Sequence, residues 1–187
     1  MEEKLFDTWA SRNPQYETKY EGLIDSMCDK MRGVNSLREA RGKIFGASYE
    51  SYIIAFFIGL YYNQRKPLTT NSTKRKTFGW PIMNWGNIDK RNDRKPYPKI
   101  REYIFVALVA RTDVDYIALD KGEITVRKAV DMLIQTMEEY ANFGYSVIKD
   151  KMEDDPNWIY KETAFLEVFL GFDNLCSIED IEPESLD

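Results

Sequence analysis

Ser48-Tyr49-Glu50-Ser51-Tyr52-Ile53-Ile54-Ala55-Phe56-Phe57-Ile58-Gly59-Leu60-Tyr61-Tyr62-Asn63-Gln64 is the stretch on which the fold turns. From Tyr52 to Leu60 it leaves hardly any polar face, and a helix apolar all round belongs at the centre of a core. Ser48 is a candidate cap, and the helix is expected over about 49–64. Glu50 near its start and Arg65-Lys66 after its end each match the helix dipole, and Pro67 stops it. Eleven residues of continuous apolar character are about half of a membrane span, so this is a core helix rather than a membrane helix.

A second apolar rod follows at 98–111, with Pro98 suited to a first helical turn and Ile100, Tyr103, Ile104, Val106, Ala107, Leu108 and Val109 behind it. It is expected to lie beside the first as a second central helix. Outward from this pair the steps of three and four continue. Tyr16, Tyr20, Leu23, Ile24, Met27, Cys28 and Met31 predict an amphipathic helix over 16–32, after a short helix at 2–11 that Asn13-Pro14 breaks. Ser36 with Glu39 has the form of a capping box for a short helix reaching Gly46. Val126 to Val147 carries one broad apolar stripe, predicting a helix over 124–150 capped by Thr125. Asp155-Pro156 opens a further helix over 156–171. The fold class is therefore all-α, a compact helical bundle of about five to six helices. It forms one domain over 1–172, followed by an acidic tail at 173–187.

Between the two apolar helices lies a segment of a different kind. Residues 66–97 lack helical periodicity, hold Pro67, Pro81, Pro96, Gly79 and Gly86, and are too long for an ordinary connection. Thr77 to Ile82 suits a short strand or an aromatic plug on the core. From Arg65 to Arg101 there are eleven Lys and Arg against Asp89 and Asp93, which is +9 in a chain whose net charge is −5. From Asp150 to Asp187, twelve acids meet two lysines, a net of −10. Such segregation marks a surface for an anionic partner, either another molecule or the chain's own acidic end.

Several classes of chemistry are excluded. The chain has no histidine, which removes His general bases, Ser-His-Asp and Cys-His centres and His-ligated metals. Its two cysteines, Cys28 and Cys176, are too few for a Cys-ligated zinc or iron–sulfur site and are read as buried reduced thiols, with one disulfide between them as the alternative. Asp113 to Thr125 has the outline of a calcium loop, but its ligand positions fall on Ile117, Leu119 and Lys121. Arg41-Gly42-Lys43-Ile44-Phe45-Gly46 lacks the spacing of a phosphate-binding loop. The adjacent acids Glu138-Glu139, Asp154-Asp155 and Glu179-Asp180 read as solvated faces. Glu50 and Glu102 read as helix-start charges, either of which becomes an enzyme candidate if buried in a cleft. No cofactor is expected. Met1-Glu2-Glu3-Lys4 leads into no apolar signal region, so a reducing, cytoplasmic location is expected.

The candidate site is the basic segment: Lys74, Arg75, Lys76, Lys90, Arg91, Arg94 and Lys95 for phosphates, with Trp80 or Trp85 stacking on bases. The expected function is that of a non-catalytic accessory protein that associates with DNA or RNA through backbone charge. The alternatives are an adaptor for an acidic protein partner and, less favoured, a carboxylate-dependent hydrolase. Oligomerisation is left open.

The order of elements — a basic-ended apolar helix, a basic insert, a second apolar helix, an acidic connector, then a long helix containing Glu138-Glu139-Tyr140-Ala141-Asn142-Phe143-Gly144-Tyr145 — loosely resembles the DndE family of bacterial DNA sulfur-modification proteins. The similarity covers about residues 36–150 and rests on order, not on a specific motif. It implies a small helical DNA-binding protein that uses lysines and assembles as an oligomer. The long extensions at both ends and the acidic balance depart from that family.

Overall fold

The computed structural model describes residues 4–28, 44–87 and 95–170. The described chain is mostly helical. Its elements are α1 (Leu5–Ala10), β1 (Gln15–Glu17), α2 (Glu21–Met27), α3 (Ser48–Tyr62), β2 (Arg75–Thr77), α4 (Ile100–Arg111), α5 (Tyr116–Asp120), α6 (Val126–Asp154) and α7 (Ala164–Leu170). Short 3-10 turns at 18–20, 72–74, 82–84 and 158–160 join them. No helix among the described residues is long and apolar enough to cross a membrane. The capping box at Ser36, the Arg41–Lys43 stretch, Cys176 and the acidic tail lie outside the described residues.

The apolar stretch forms α3, and it is central. Tyr52, Ala55, Phe56 and Ile58 are wholly buried. Ser48 is not the cap. Instead Glu50 reaches back from the first turn, and its Oε2 accepts the Gly46 N–H at 2.7 Å. At the far end Asn63 takes a left-handed conformation (φ 50°), and the Gln64 N–H bonds back to the Gly59 carbonyl at 3.1 Å. Asn is one of the few residues that adopts this terminating conformation readily.

The core is built on α3 and α6 lying antiparallel at very close range. A Cβ added to Gly59 would stand 2.1 Å from the Tyr140 carbonyl oxygen, and one added to Gly144 would stand 1.8 Å from that of Ala55. The two glycines thus let each backbone touch the other, one turn apart on both helices. Around this contact α6 buries Ala129, Val130, Leu133, Met137, Tyr140, Ala141 and Tyr145. Thr125 caps α6, its Oγ1 accepting from the Lys128 N–H at 3.2 Å. Asp115 caps α5 by accepting from the Ala118 N–H at 2.9 Å.

Four expectations are corrected. The chain is not all-α, because β1 and β2 pair as an antiparallel ribbon in the register Gln15↔Thr77, Tyr16↔Lys76, Glu17↔Arg75. The helix expected from residue 16 therefore starts only at Glu21, after a 3-10 turn. Tyr16 is buried as a strand residue stacked on Phe78, 4.6 Å between ring centroids. The second apolar rod, α4, is peripheral rather than central. Only Ile104 and Leu108 are fully buried, while Tyr103 and Val106 are 63% and 65% exposed. Its inner edge is held by Phe105, which packs on Phe6 and Trp9 of α1. Finally, 156–171 is not one helix. The Trp158 indole N–H donates to Glu167 Oε2 at 2.9 Å, a fold-back that requires the break between the turn at 158–160 and α7.

Candidate nucleic-acid interface

The first part of the basic segment is folded, not loose. After α3, the Lys66 N–H bonds to the Glu139 carbonyl, and the Thr69 N–H to Glu17 Oε1 at 2.8 Å. Asn142 on α6 completes the clamp. Its Nδ2 donates to Glu17 Oε1 and to the carbonyls of Lys66 and Pro67 at 3.0–3.1 Å. Glu17 is buried, which alone would raise its pKa. The Lys19 ammonium and the Thr69 and Asn142 N–H groups outweigh this and hold the carboxylate below its ordinary range. A buried charge is thereby satisfied by three donors, and the backbone of 66–69 is fixed against β1.

The turn at 72–74 then leads into β2, with the Asn71 side chain accepting from the Thr73 N–H at 3.0 Å. Beyond β2 the aromatics divide. Phe78 packs edge-on against Tyr52, and Trp85 is wholly buried, stacked on Tyr49 at 5.6 Å and edge-on to Tyr52. The Trp85 indole N–H donates to the Trp80 carbonyl at 3.2 Å, which fixes Trp80 at the surface, 50% exposed. Gly86 (φ 77°) meets the incoming chain closely, and the Tyr97 N–H bonds to its carbonyl at 2.9 Å. The Tyr97 hydroxyl donates to Glu50 Oε1. Arg101 donates to the carbonyls of Met83 and Pro98. The segment is thus pinned to the start of α3 on one side and to the start of α4 on the other.

On this scaffold the expected phosphate-binding residues separate. Lys74 and Lys95 are exposed, as is Lys66, and none of the three has a carboxylate partner among the described residues. Lys76 is exposed but pairs with Glu21 at 2.8 Å. Arg75 is half-buried, near enough for its charge to favour the Glu138 carboxylate, and its Nη2 donates to the Thr70 carbonyl. Trp85 cannot stack on a base, because both of its faces belong to the core; that expectation is corrected. Trp80 keeps the role open to it. Lys90, Arg91 and Arg94 lie outside the described residues. Lys66, which is not among the expected phosphate contacts, belongs with the exposed cations. Its place just before Pro67, beyond the end of α3 at Tyr62, is the sequence signal that it lies on the connecting chain.

The acids also separate. Glu102 is exposed. Glu50 is buried, but one of its oxygens holds the Gly46 N–H and the other the Tyr97 hydroxyl, an anchoring role. The expectation of a solvated Glu138-Glu139 pair fails for Glu138. It lies under the ribbon, where Oε1 accepts the Gln15 N–H at 2.8 Å. Burial pushes its pKa up to about 7, against the opposing pull of that N–H and of Arg75 and Arg12. Glu138 sits four residues after buried Ile134 and three before buried Ala141, so the stripe periodicity placed it inward. A single carboxyl beneath a strand pair lacks the opposed second acid that glycoside hydrolysis needs. Among the described residues no group of three His, Cys, Asp or Glu side chains is arranged to hold a metal ion, and Cys28 is buried.

No family model, curated protein or solved structure matches this chain.

Proposed function

We propose that the protein is a non-catalytic accessory protein that binds single-stranded or irregular nucleic acid through phosphate charge and one stacking aromatic. The observation that carries the reading is the run Arg65–Asn87, which contains no acidic residue. It is anchored by buried contacts, yet it leaves Lys66 and Lys74 outward and unpaired among the described residues and holds Trp80 at the surface. Lys95 extends the surface on the far side of the Gly86–Tyr97 contact. Cations on a fixed backbone lose little entropy on meeting phosphates, and a half-exposed indole offers a sequence-tolerant face to a base. The loose resemblance of the element order to that of the DndE family points the same way.

Affinity capture at low salt, with the full chain as bait and with or without nuclease, tests this reading. Nuclease-sensitive recovery of nucleic acid is the expected result. Recovery of acidic proteins alone, unchanged by nuclease, would replace it with the adaptor reading.

A further inference from the structure

The chain leaves the described residues beside its own cations. Helix α7 runs alongside α3 in the same direction. Phe165 packs on Phe45, just before α3 begins, and Phe169 packs on Tyr61 in its last turn, 5.5 Å between ring centroids. The Tyr62 hydroxyl donates to the Val168 carbonyl at 3.3 Å. Leu170, the last described residue, therefore stands at the end of α3 from which Arg65 and Lys66 emerge. Tyr61, Tyr62 and Leu170 are 56%, 42% and 59% exposed there. Arg65 lies over the Tyr140 ring at 5.8 Å. It and Lys66 are exposed, with no carboxylate partner among the described residues.

The sequence after Leu170 matches this surface in charge and in apolar character. Residues 171–187 hold the acids Asp173, Glu179, Asp180, Glu182, Glu184 and Asp187 and no base, interspersed with Phe172, Leu175, Ile178 and Ile181. The two internal stretches outside the described residues do not match: 29–43 carries five bases against two acids, and 88–94 three against two. Reach is ample. Arg65 is at most about 14 Å of chain from Tyr61, and residues 171–187 span up to about 55 Å. A tether this short holds the acids at an effective concentration in the millimolar range, so a contact too weak to join separate molecules is populated within one. We propose that residues 171–187 fold back onto the Tyr61–Lys66 end of α3, their acids on Arg65 and Lys66, and compete there with nucleic acid. The docking stands on the geometry and charge above; the competition rests on the nucleic-acid reading.

Zero-length carbodiimide coupling of the full chain, dilute and at low salt, tests the docking when the products are mapped by mass spectrometry. Lys66 should join to acids of 171–187 within single chains, and the yield should fall as salt rises. No such cross-link, or coupling of these acids to Lys30 or Lys43 in place of Lys66, would overturn the proposal. Anisotropy of a labelled single strand tests the competition. Replacing all six acids by Asn or Gln in the full chain should raise affinity about threefold to tenfold at low salt. The same changes made in an Arg65→Gln, Lys66→Gln chain should raise it much less, because the cations they cover are gone. An equal gain in both backgrounds would mark a general charge effect and overturn the competition. If Lys66 cross-links but neither the parent nor the neutralised chain binds the strand, the nucleic-acid reading fails and the docking stands. If the parent binds and Lys66 does not cross-link, the docking fails alone.

Discussion

Replacing Gly144 by Ala adds one carbon at the point where α6 touches α3. That Cβ would stand 1.8 Å from the Ala55 carbonyl oxygen, and its neighbours there are all backbone atoms, so no side chain can swing aside. Reaching even a tight 3.0 Å approach requires the helices to part by about 1.2 Å. A gap of about that size forfeits between a quarter and a half of the dispersion energy of each atom pair it opens. Tyr52, Phe56, Tyr140 and Tyr145 all lie at this seam. Overpacking of a well-filled core costs about 1–3 kcal/mol, and a rigid backbone obstacle belongs at the upper end or beyond. Against this, alanine in place of a helical glycine gains about 1 kcal/mol. The net expectation is a loss of about 2 kcal/mol or more, or a Tm lower by about 4–8 °C for a chain of this length. Urea unfolding followed by tryptophan fluorescence measures it. Gly22→Ala in α2 is the control, since nothing lies within 4 Å of its added Cβ. It should stabilise by up to about 1 kcal/mol. A Gly144→Ala protein as stable as the parent, with Gly22→Ala behaving as expected, would refute the close approach of α3 and α6.

Two further outcomes follow from buried groups. The Glu138 carboxyl, whose pKa is pushed up to about 7 from an ordinary 4.5, binds its proton more tightly folded than unfolded. Stability should therefore fall as pH rises from about 4.5 to about 7 and level off above, a span of at most about 3 kcal/mol. Glu138→Gln, which keeps the acceptor for the Gln15 N–H, should flatten that slope and be the more stable protein at pH 8, as denaturant titrations at pH 5 and pH 8 would show. The two tryptophans should behave oppositely. Trp85→Ala empties a core site and should cost about 3–5 kcal/mol, whereas Trp80→Ala should change stability by less than about 0.5 kcal/mol. The Trp80 change should instead weaken single-strand binding by about 1–3 kcal/mol, measured by anisotropy of a labelled oligonucleotide.

The central helix was legible because α3 has no polar face to argue against burial, and its end was legible in Asn63 and Pro67. Thr125 likewise announced α6. The close approach at the glycines was not legible. Gly59 sits silently in an apolar run, and only the partner's backbone reveals why it has no side chain. Helix α4 was misplaced for the converse reason: apolar residues state what a helix can bury, not whether anything covers them, and Tyr103 and Val106 are left outward. The ribbon was hidden because Tyr16 continues the helical spacing of Tyr20 and Ile24 while its backbone pairs with Lys76, sixty residues on. Trp80 and Trp85 look alike in sequence. The turn at 82–84 separates them, sending Trp85 into the core and leaving Trp80 at the rim. Glu138 is a case where periodicity held the answer and the neighbouring Glu139 disguised it.

Salt dependence of oligonucleotide binding tests the central functional claim most directly. Anisotropy titrations of a labelled single strand from low to moderate salt should give a linear fall of log affinity with log salt. The variant Lys66→Gln, Lys74→Gln, Lys95→Gln should flatten that slope by about 0.7 for each phosphate it no longer neutralises, with its fold unchanged. An affinity independent of salt, no binding at low salt, or a slope that the triple variant leaves intact would contradict it.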